Sequence, residues 1–340
     1  MENVLIVKLS AIGDVIHALP VAYAIKETYP NAHLTWVVEP PAYDLLTSVP
    51  CIDEIILFQK KEFKSLRGFM QNFLPLRRQL KQRRYDVSLD LQGLFKSAAI
   101  VKTAAAKQRV GTCNMREMSH LISRPIVGEN AHGHIVERYL DVARAIGCKV
   151  QNVNFPVVVP PLARKRAARI LSEAGMTDQN AYVALAVGAN WPNKRWPAKY
   201  YAELIDSLYE ENIIPVLVGG GAVDANIAAA IEAQTEIPPV NVIGKTSLTE
   251  LAYIVGNAAA VVGGDTGPVH LAAGLKTPTV MLMGPTDAKR NGPYGQETNA
   301  IEADRPCKYC WHRACPKGID CLAVIHVDDV AAKIKSIIGK

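Results

Sequence analysis

The chain has 340 residues, 49% of them hydrophobic and 21% charged, with a formal net charge of +6. That length exceeds one typical core and suits two domains, and the composition is that of an ordinary globular protein. No apolar run approaches the roughly 20 residues of a membrane helix, and Glu2 and Lys8 break any signal-peptide pattern, so a cytoplasmic protein is expected.

In chain order, the first apolar run is Val4-Leu5-Ile6-Val7, short, continuous and rich in β-branched residues, which predicts a buried strand. The stretch LSAIGDVIHALP, residues 9–20, then places Gly13 and Asp14 where the first strand of an α/β protein meets its first helix. Loops at the carboxyl ends of parallel strands hold the chemistry of such folds, so Asp14 reads either as a helix cap or as a catalytic base. Further strand runs fall at residues 34–38, 55–58 and 87–91, and strands separated by helices imply parallel βαβ units.

Between Gln59 and Arg84 lie Lys60, Lys61, Lys64, Arg67, Arg77, Arg78, Lys81, Arg83 and Arg84, against Glu62 alone. This stretch suits an anionic partner (nucleic acid, a membrane surface or a phosphorylated substrate) or else a solvated amphipathic helix. Aromatic interleaving is sparse, with Phe63, Phe69 and Phe73, so single-strand nucleic-acid binding is not favoured.

The prolines of NVNFPVVVPPLARK, residues 152–165, mark a linker that leads into a helix over 162–174. The alternation then restarts, with strands at 182–187, 213–218, 259–262 and 279–283 and helices at 198–210 and 222–233. The tail HVDDVAAKIKSIIGK predicts a final helix capped by an aspartate. The pattern is α/β, two Rossmann-like halves facing a cleft: residues 1–155, then 166–325, then a C-terminal helix over 326–340, with no tandem repeat.

Chemistry concentrates in the second half. In VVGGDTGPVHLAAGLKTPTVMLMGPT, residues 261–286, a strand runs through Gly263-Gly264 into Asp265, Thr266, Gly267 and Pro268. Asp265 or Thr266 can cap the following helix, and its N-terminus can cradle a diphosphate; an ordinary βα turn is the alternative. His270 lies one turn after Thr266, on the same side of that helix. In VLVGGGAVDAN, residues 216–226, Asp224 can bond a ribose or merely face water, and the glycines do not form GxGxxG. Lys194 and Arg195 sit on a turn between two Trp-Pro pairs, either facing the same phosphates or lying at the surface. Cys307, Cys310, Cys315 and Cys321 are spaced C-x2-C-x4-C-x5-C, which suits a structural zinc or iron site more than disulfides in a reducing compartment. Cys51, Cys113 and Cys148 are isolated and read as packing residues. No Ser-His-Asp order or nucleophile elbow is present, so hydrolase chemistry is not favoured.

Together VLIVKLSAIGDVIHALP, WVVEP, LDLQGLFKSA, KRWPAKYY, LVGGG and GGDTGPVHLAAGLKTPTVMLMGPT resemble glycosyltransferase family nine, in order and nearly end to end. Within it, VVE, DLQGLFKSA and HIVERYLDVA are most similar to the heptosyltransferase I branch. The resemblance implies a GT-B fold and inverting, metal-independent transfer of heptose from ADP-heptose to the Kdo of Kdo2-lipid A. It implies that Asp14 is the general base and that Lys194, Asp265, Thr266 and Gly267 meet the leaving diphosphate, with His270 near the donor. Thr246 then lies near the adenine, Asp224 near the ribose and Asn190 in the phosphate-facing turn. Lys60, Lys61, Lys64, Lys96 and Arg116 fall where the family binds acceptor carboxylates and phosphates. No cofactor and no nucleic acid are implied, and the site of action is the inner face of the bacterial inner membrane, an anionic surface. Three features depart from the pattern: Gly188-Ala189-Asn190 lacks the hydroxyl residues common before Lys194, lysines replace arginines in the acceptor half, and the four-cysteine segment is absent from the best-known members. Iron-binding cysteine clusters do occur in some relatives, including protein heptosyltransferases. The rival readings are a heptosyltransferase II or III, a protein heptosyltransferase, a nucleotide-binding oxidoreductase and a non-enzymatic polyanion-binding protein.

Overall fold

The computed structural model describes residues 1–63, 65–176 and 181–339. The chain forms two compact units, Met1–Val158 and Val159–Lys340. In order, the first contains β1 (Asn3–Val7), α1 (Ile12–Thr28), β2 (His33–Val38), α2 (Pro40–Leu46), β3 (Glu54–Leu57), α3 (Leu66–Leu80), β4 (Val87–Asp90), α4 (Phe95–Ala104), β5 (Gln108–Gly111), β6 (Arg124–Pro125) and α5 (Ile135–Ala145). The second contains α6 (Pro161–Glu173), β7 (Tyr182–Ala186), α7 (Ala198–Glu210), β8 (Ile214–Val218), α8 (Ala222–Glu232), β9 (Val240–Asn241), α9 (Leu248–Gly256), β10 (Ala260–Gly264), α10 (Gly267–Gly274), β11 (Thr279–Met283), α11 (Ala288–Asn291), β12 (Ala300–Glu302) and α12 (Val327–Ile338).

Each unit holds one six-stranded sheet, in the orders β3-β2-β1-β4-β5-β6 and β12-β11-β10-β7-β8-β9. Every strand pair is parallel. Numbered within its own unit, the second order is also 3-2-1-4-5-6, so the topology repeats where the sequence shows no repeat. Parallel strands covered by helices on both faces must be apolar on both sides, and β1, β2, β4, β7, β8, β10 and β11 are nearly all buried. The second core gathers Val183, Leu185, Val262, Val280 and Leu282 around Trp196 and Tyr201. In the first, Leu5, Val7, Val37 and Ile56 meet Leu76 and Leu80 of α3.

Eight strands, β1–β4, β7, β8, β10 and β11, lie within a residue or two of the apolar runs. Missing from the sequence reading are the edge strands β6, β9 and β12, of two or three residues and too short to carry a period, and the internal β5, whose exposed Gln108-Arg109 start breaks its apolar run. The final helix also differs: its N-cap is His326, and Asp328 and Asp329 lie in the first turn, where they complement the helix dipole instead of capping it.

The turn after β10 depends on missing side chains. A methyl group on Gly264 would run into the carbonyl oxygen of Lys194, and one on Gly263 would lie 2.7 Å from the carbonyl oxygen of Ala186. Gly264→Ala should therefore destabilise the fold by about 1–3 kcal/mol. Gly220→Ala faces open space and should change stability by no more than about 0.5 kcal/mol. Denaturant unfolding of the two variants side by side checks the contrast.

Candidate active site at the strand switch points

In open parallel sheets the ligand crevice lies outside the carboxyl ends of the strands, where the strand order reverses. Here those points are β1/β4 in the first unit and β7/β10 in the second. Each carries a lysine and an aspartate.

At β1/β4 the chain leaves β1 through Lys8, whose ammonium is buried in the protein. Its Nζ donates to the Leu91 carbonyl at 3.2 Å and the Tyr139 hydroxyl at 2.9 Å, and lies 3.9 Å from Asp14 Oδ2. Burial alone would lower its pKa, but Asp14, Tyr139 and Asp90 outweigh that and hold the ammonium above the ordinary lysine value. The loop after β1 is fixed by Gln92, whose Oε1 accepts the amides of Leu9 and Ser10, both at 3.0 Å. Asp14 is the third residue of α1. Its Oδ2 accepts the amide of Ala11 at 3.2 Å, so it does serve the helix start. Its side chain remains 42% exposed, which leaves the carboxylate open to an incoming group.

At β7/β10 Asp265 is buried directly after β10. Its Oδ2 takes the Lys194 ammonium at 2.5 Å and the Thr286 hydroxyl at 2.8 Å; its Oδ1 meets His270 Nε2 at 2.7 Å. Burial pushes its carboxyl up, but His270 and Lys194 outweigh that and hold it far below the usual carboxylate range. The Lys194 ammonium also lies 4.4 Å from the centre of the Trp191 ring. The expected cap is therefore corrected: Asp265 turns inward, and Thr266 occupies the N-cap of α10 without a side-chain cap bond. An ionised Asp265 would repel a phosphate, and in this geometry it holds Lys194 and His270 in place. The uncapped start of α10, at Thr266 and Gly267, leaves amides suited to an anion.

The other predicted residues are more dispersed. Asp224 Oδ2 accepts the amide of Gly220 at 2.8 Å, and a methyl on Gly188 would run into the same carboxylate. Asp224 thus braces the glycine turn after β8 against the loop after β7. Asn190 is exposed on that loop, and Thr246 is half-buried between β9 and α9. In the first unit Lys96 pairs with Glu39 at 2.5 Å, Lys60 and Lys61 are exposed on one short helical turn, and Arg116 is exposed after β5. Lys64 lies outside the described residues. Sequence reading missed Lys8, Tyr139 and Thr286. A lysine ending an apolar run was the signal for Lys8; nothing local marks Tyr139, 131 positions away.

The four cysteines lie near one another, Cys321 within electrostatic reach of the other three, but are not drawn into a metal-binding group. Among the described residues no three His, Cys, Asp or Glu side chains are grouped to hold one, and the cysteines are free thiols. The Cys321 sulphur is buried against Gly284, while Cys315 is engaged by its own loop amides, those of Ile319 and Lys317 first, which lower its thiol pKa. Among the described residues no helix is long and apolar enough to cross a membrane.

Two parallel six-stranded Rossmann-like units of this topology match the GT-B architecture of the heptosyltransferases. The chain belongs to glycosyltransferase family 9 (heptosyltransferase), whose sequence profile matches residues 73–319. Lipopolysaccharide heptosyltransferase 1 of Pseudomonas aeruginosa is 29% identical over 325 residues, covering 92% of this chain and 87% of that one. Lipopolysaccharide heptosyltransferase 2 of Salmonella typhimurium is 26% identical, covering 88% and 87%. The structure of E. coli heptosyltransferase WaaC with ADP superposes with a TM-score of 0.75 at 25% identity, covering 98% of this chain and 99% of that one.

Asp265→Asn keeps the shape and removes the charge that Lys194 faces. Breaking a buried pair in this way should cost on the order of 3 kcal/mol at pH 7. Because the folded carboxyl titrates below its unfolded value near 3.9, the contribution is fully present above about pH 5 and fades as pH falls further. The gap in stability between wild type and variant should therefore be constant above about pH 5, narrow as pH falls below about 4, and still be open at about pH 2, as followed by denaturant titrations.

Proposed function

We propose that this family 9 heptosyltransferase moves L-glycero-D-manno-heptose from ADP-heptose to the Kdo of Kdo2-lipid A, with inversion and without a metal in the transfer step. The observation that carries the reading is the pair of switch-point sites: a half-exposed carboxylate, Asp14, in one unit, and an ammonium, Lys194, beside an uncapped helix in the other. The ADP-bound WaaC structure supports the donor class.

The chemistry follows from these groups. Asp14 takes the proton of the acceptor hydroxyl as that oxygen attacks the anomeric carbon from the face opposite ADP. The bond from that carbon to the diphosphate oxygen breaks, and the electron pair leaves with ADP. Lys194 and the first amides of α10 meet the charge gathering on the diphosphate. Lys8 keeps a positive charge beside Asp14 and holds the loop that carries it. Asn190, Thr246 and Asp224 contact or shape the donor, while Lys60, Lys61, Lys64, Lys96 and Arg116 face acceptor carboxylates and phosphates. Lys96 would then exchange Glu39 for an acceptor anion. The place of action is the cytoplasmic face of the inner membrane.

A second reading, transfer to an acceptor that already bears heptose, is favoured by the similar match to a heptosyltransferase 2. Mass spectrometry of both acceptors with ADP-heptose separates them: a one-heptose gain on Kdo2-lipid A supports the first reading, and gain only on the heptosylated acceptor supports the second. In the productive pairing, Asp14→Ala should lower kcat by about 10²–10⁴-fold while ADP-heptose still binds in calorimetry. Full turnover by that variant would remove Asp14 from the mechanism.

A further inference from the structure

The exposed flank of α3 is apolar. Leu66, Met70 and Leu74 are 79%, 69% and 52% exposed, and Phe69 beside them is 43% exposed. The first three recur at i, i+4 and i+8, so they stack along one side of the helix. They are not spare core. The helix is anchored by Leu76 and Leu80, which pack into the first unit's core. Its first turns are held by a row of rings, Phe58–Phe63 at 5.0 Å, Phe63–Phe69 at 6.1 Å and Phe69–Phe73 at 5.1 Å. The row of Leu66, Met70 and Leu74 stands outside this packing.

Cations flank the row. Arg67, Arg77 and Arg78 are on the helix, Lys81 follows it and Lys60 and Lys61 precede it; all six are exposed. The helix itself contains no aspartate or glutamate. Among the described residues none of Arg67, Arg77, Arg78 and Lys81 forms an ion pair with a carboxylate.

We propose that α3 is an interfacial helix that docks the protein on an anionic lipid bilayer, with Leu66, Met70 and Leu74 entering the headgroup–acyl boundary and Arg67, Arg77, Arg78 and Lys81 pairing with lipid headgroups. This deepens the membrane-surface part of the proposed function by naming the element that makes the contact. The combination selects the occupant. A nucleic acid would answer the charge and leave the apolar row in water. A second copy of the chain would bury the row but bring two sets of like charges together. An anionic bilayer answers both at once.

The test uses the full chain and vesicles free of donor and acceptor, so it stands apart from the acceptor assignment. Co-sedimentation with phosphatidylcholine vesicles, with and without phosphatidylglycerol, should show binding only to the anionic ones, weakening as salt rises. The triple variant Leu66→Ser, Met70→Ser, Leu74→Ser alters exposed positions only and should bind at least about tenfold more weakly. Its circular dichroism and its transfer to a short-chain, micelle-free acceptor should match wild type. Wild-type protein that ignores anionic vesicles, or a triple variant that binds them as well as wild type, would overturn the proposal. So would a concentration-dependent dimer, seen by sedimentation equilibrium, that the triple variant abolishes.

Discussion

Asp265 is an ionised carboxylate in a place water barely reaches, and much of the second unit is arranged around keeping it that way. An unpaired charge there would cost several kcal/mol. Lys194, His270 and Thr286 meet it from three different βα segments, following β7, β10 and β11. The glycine at 264 exists because the Lys194 backbone must come that close. One carboxylate therefore fixes the lysine's position, the turn that carries it and the approach of that turn to the sheet.

The first unit solves a related problem with the signs reversed. There the buried charge is the ammonium of Lys8, and the aspartate beside it is the exposed partner. Both sheets have the same strand order, so the two lysine–aspartate pairs stand at equivalent reversals of direction. The parallel sheet supplies such a place in each unit; the chemistry differs according to which charge is buried. Where the carboxylate is exposed it can accept a proton from a substrate. Where it is buried it can only hold other groups in place.

The architecture was legible because fully buried parallel strands write themselves as continuous apolar runs, as at Val4–Val7 of β1 and at β11. The edge strands β6, β9 and β12 were not, since two or three residues carry no period. For the site, glycine spacing marked the turn at Asp265 but not the direction of its side chain. Whether an acid at a helix start caps the helix or turns into the protein is decided by what other segments bring to it, here Lys194 and Thr286. Asp224 shows the same limit: its neighbour Gly188 is 36 positions earlier and belongs to another strand's loop. The cysteine spacing does bring four sulphurs into one neighbourhood, with Cys321 within electrostatic reach of Cys307, Cys310 and Cys315, but spacing alone does not fix a ligand geometry.

The bond between Lys8 and Tyr139 has a bearing on how the chain is born. Lys8 leaves the ribosome almost at once, on a strand whose neighbours β2 and β4 follow in sequence. Its hydroxyl partner arrives on α5, the last helix of the first unit, which packs back on α1. A nascent sheet lacking α5 holds a lysine at its centre with one of its partners unmade and one face of α1 uncovered. The packing of the first unit is therefore complete only once α5 is available to cover α1 and give Lys8 its hydroxyl partner.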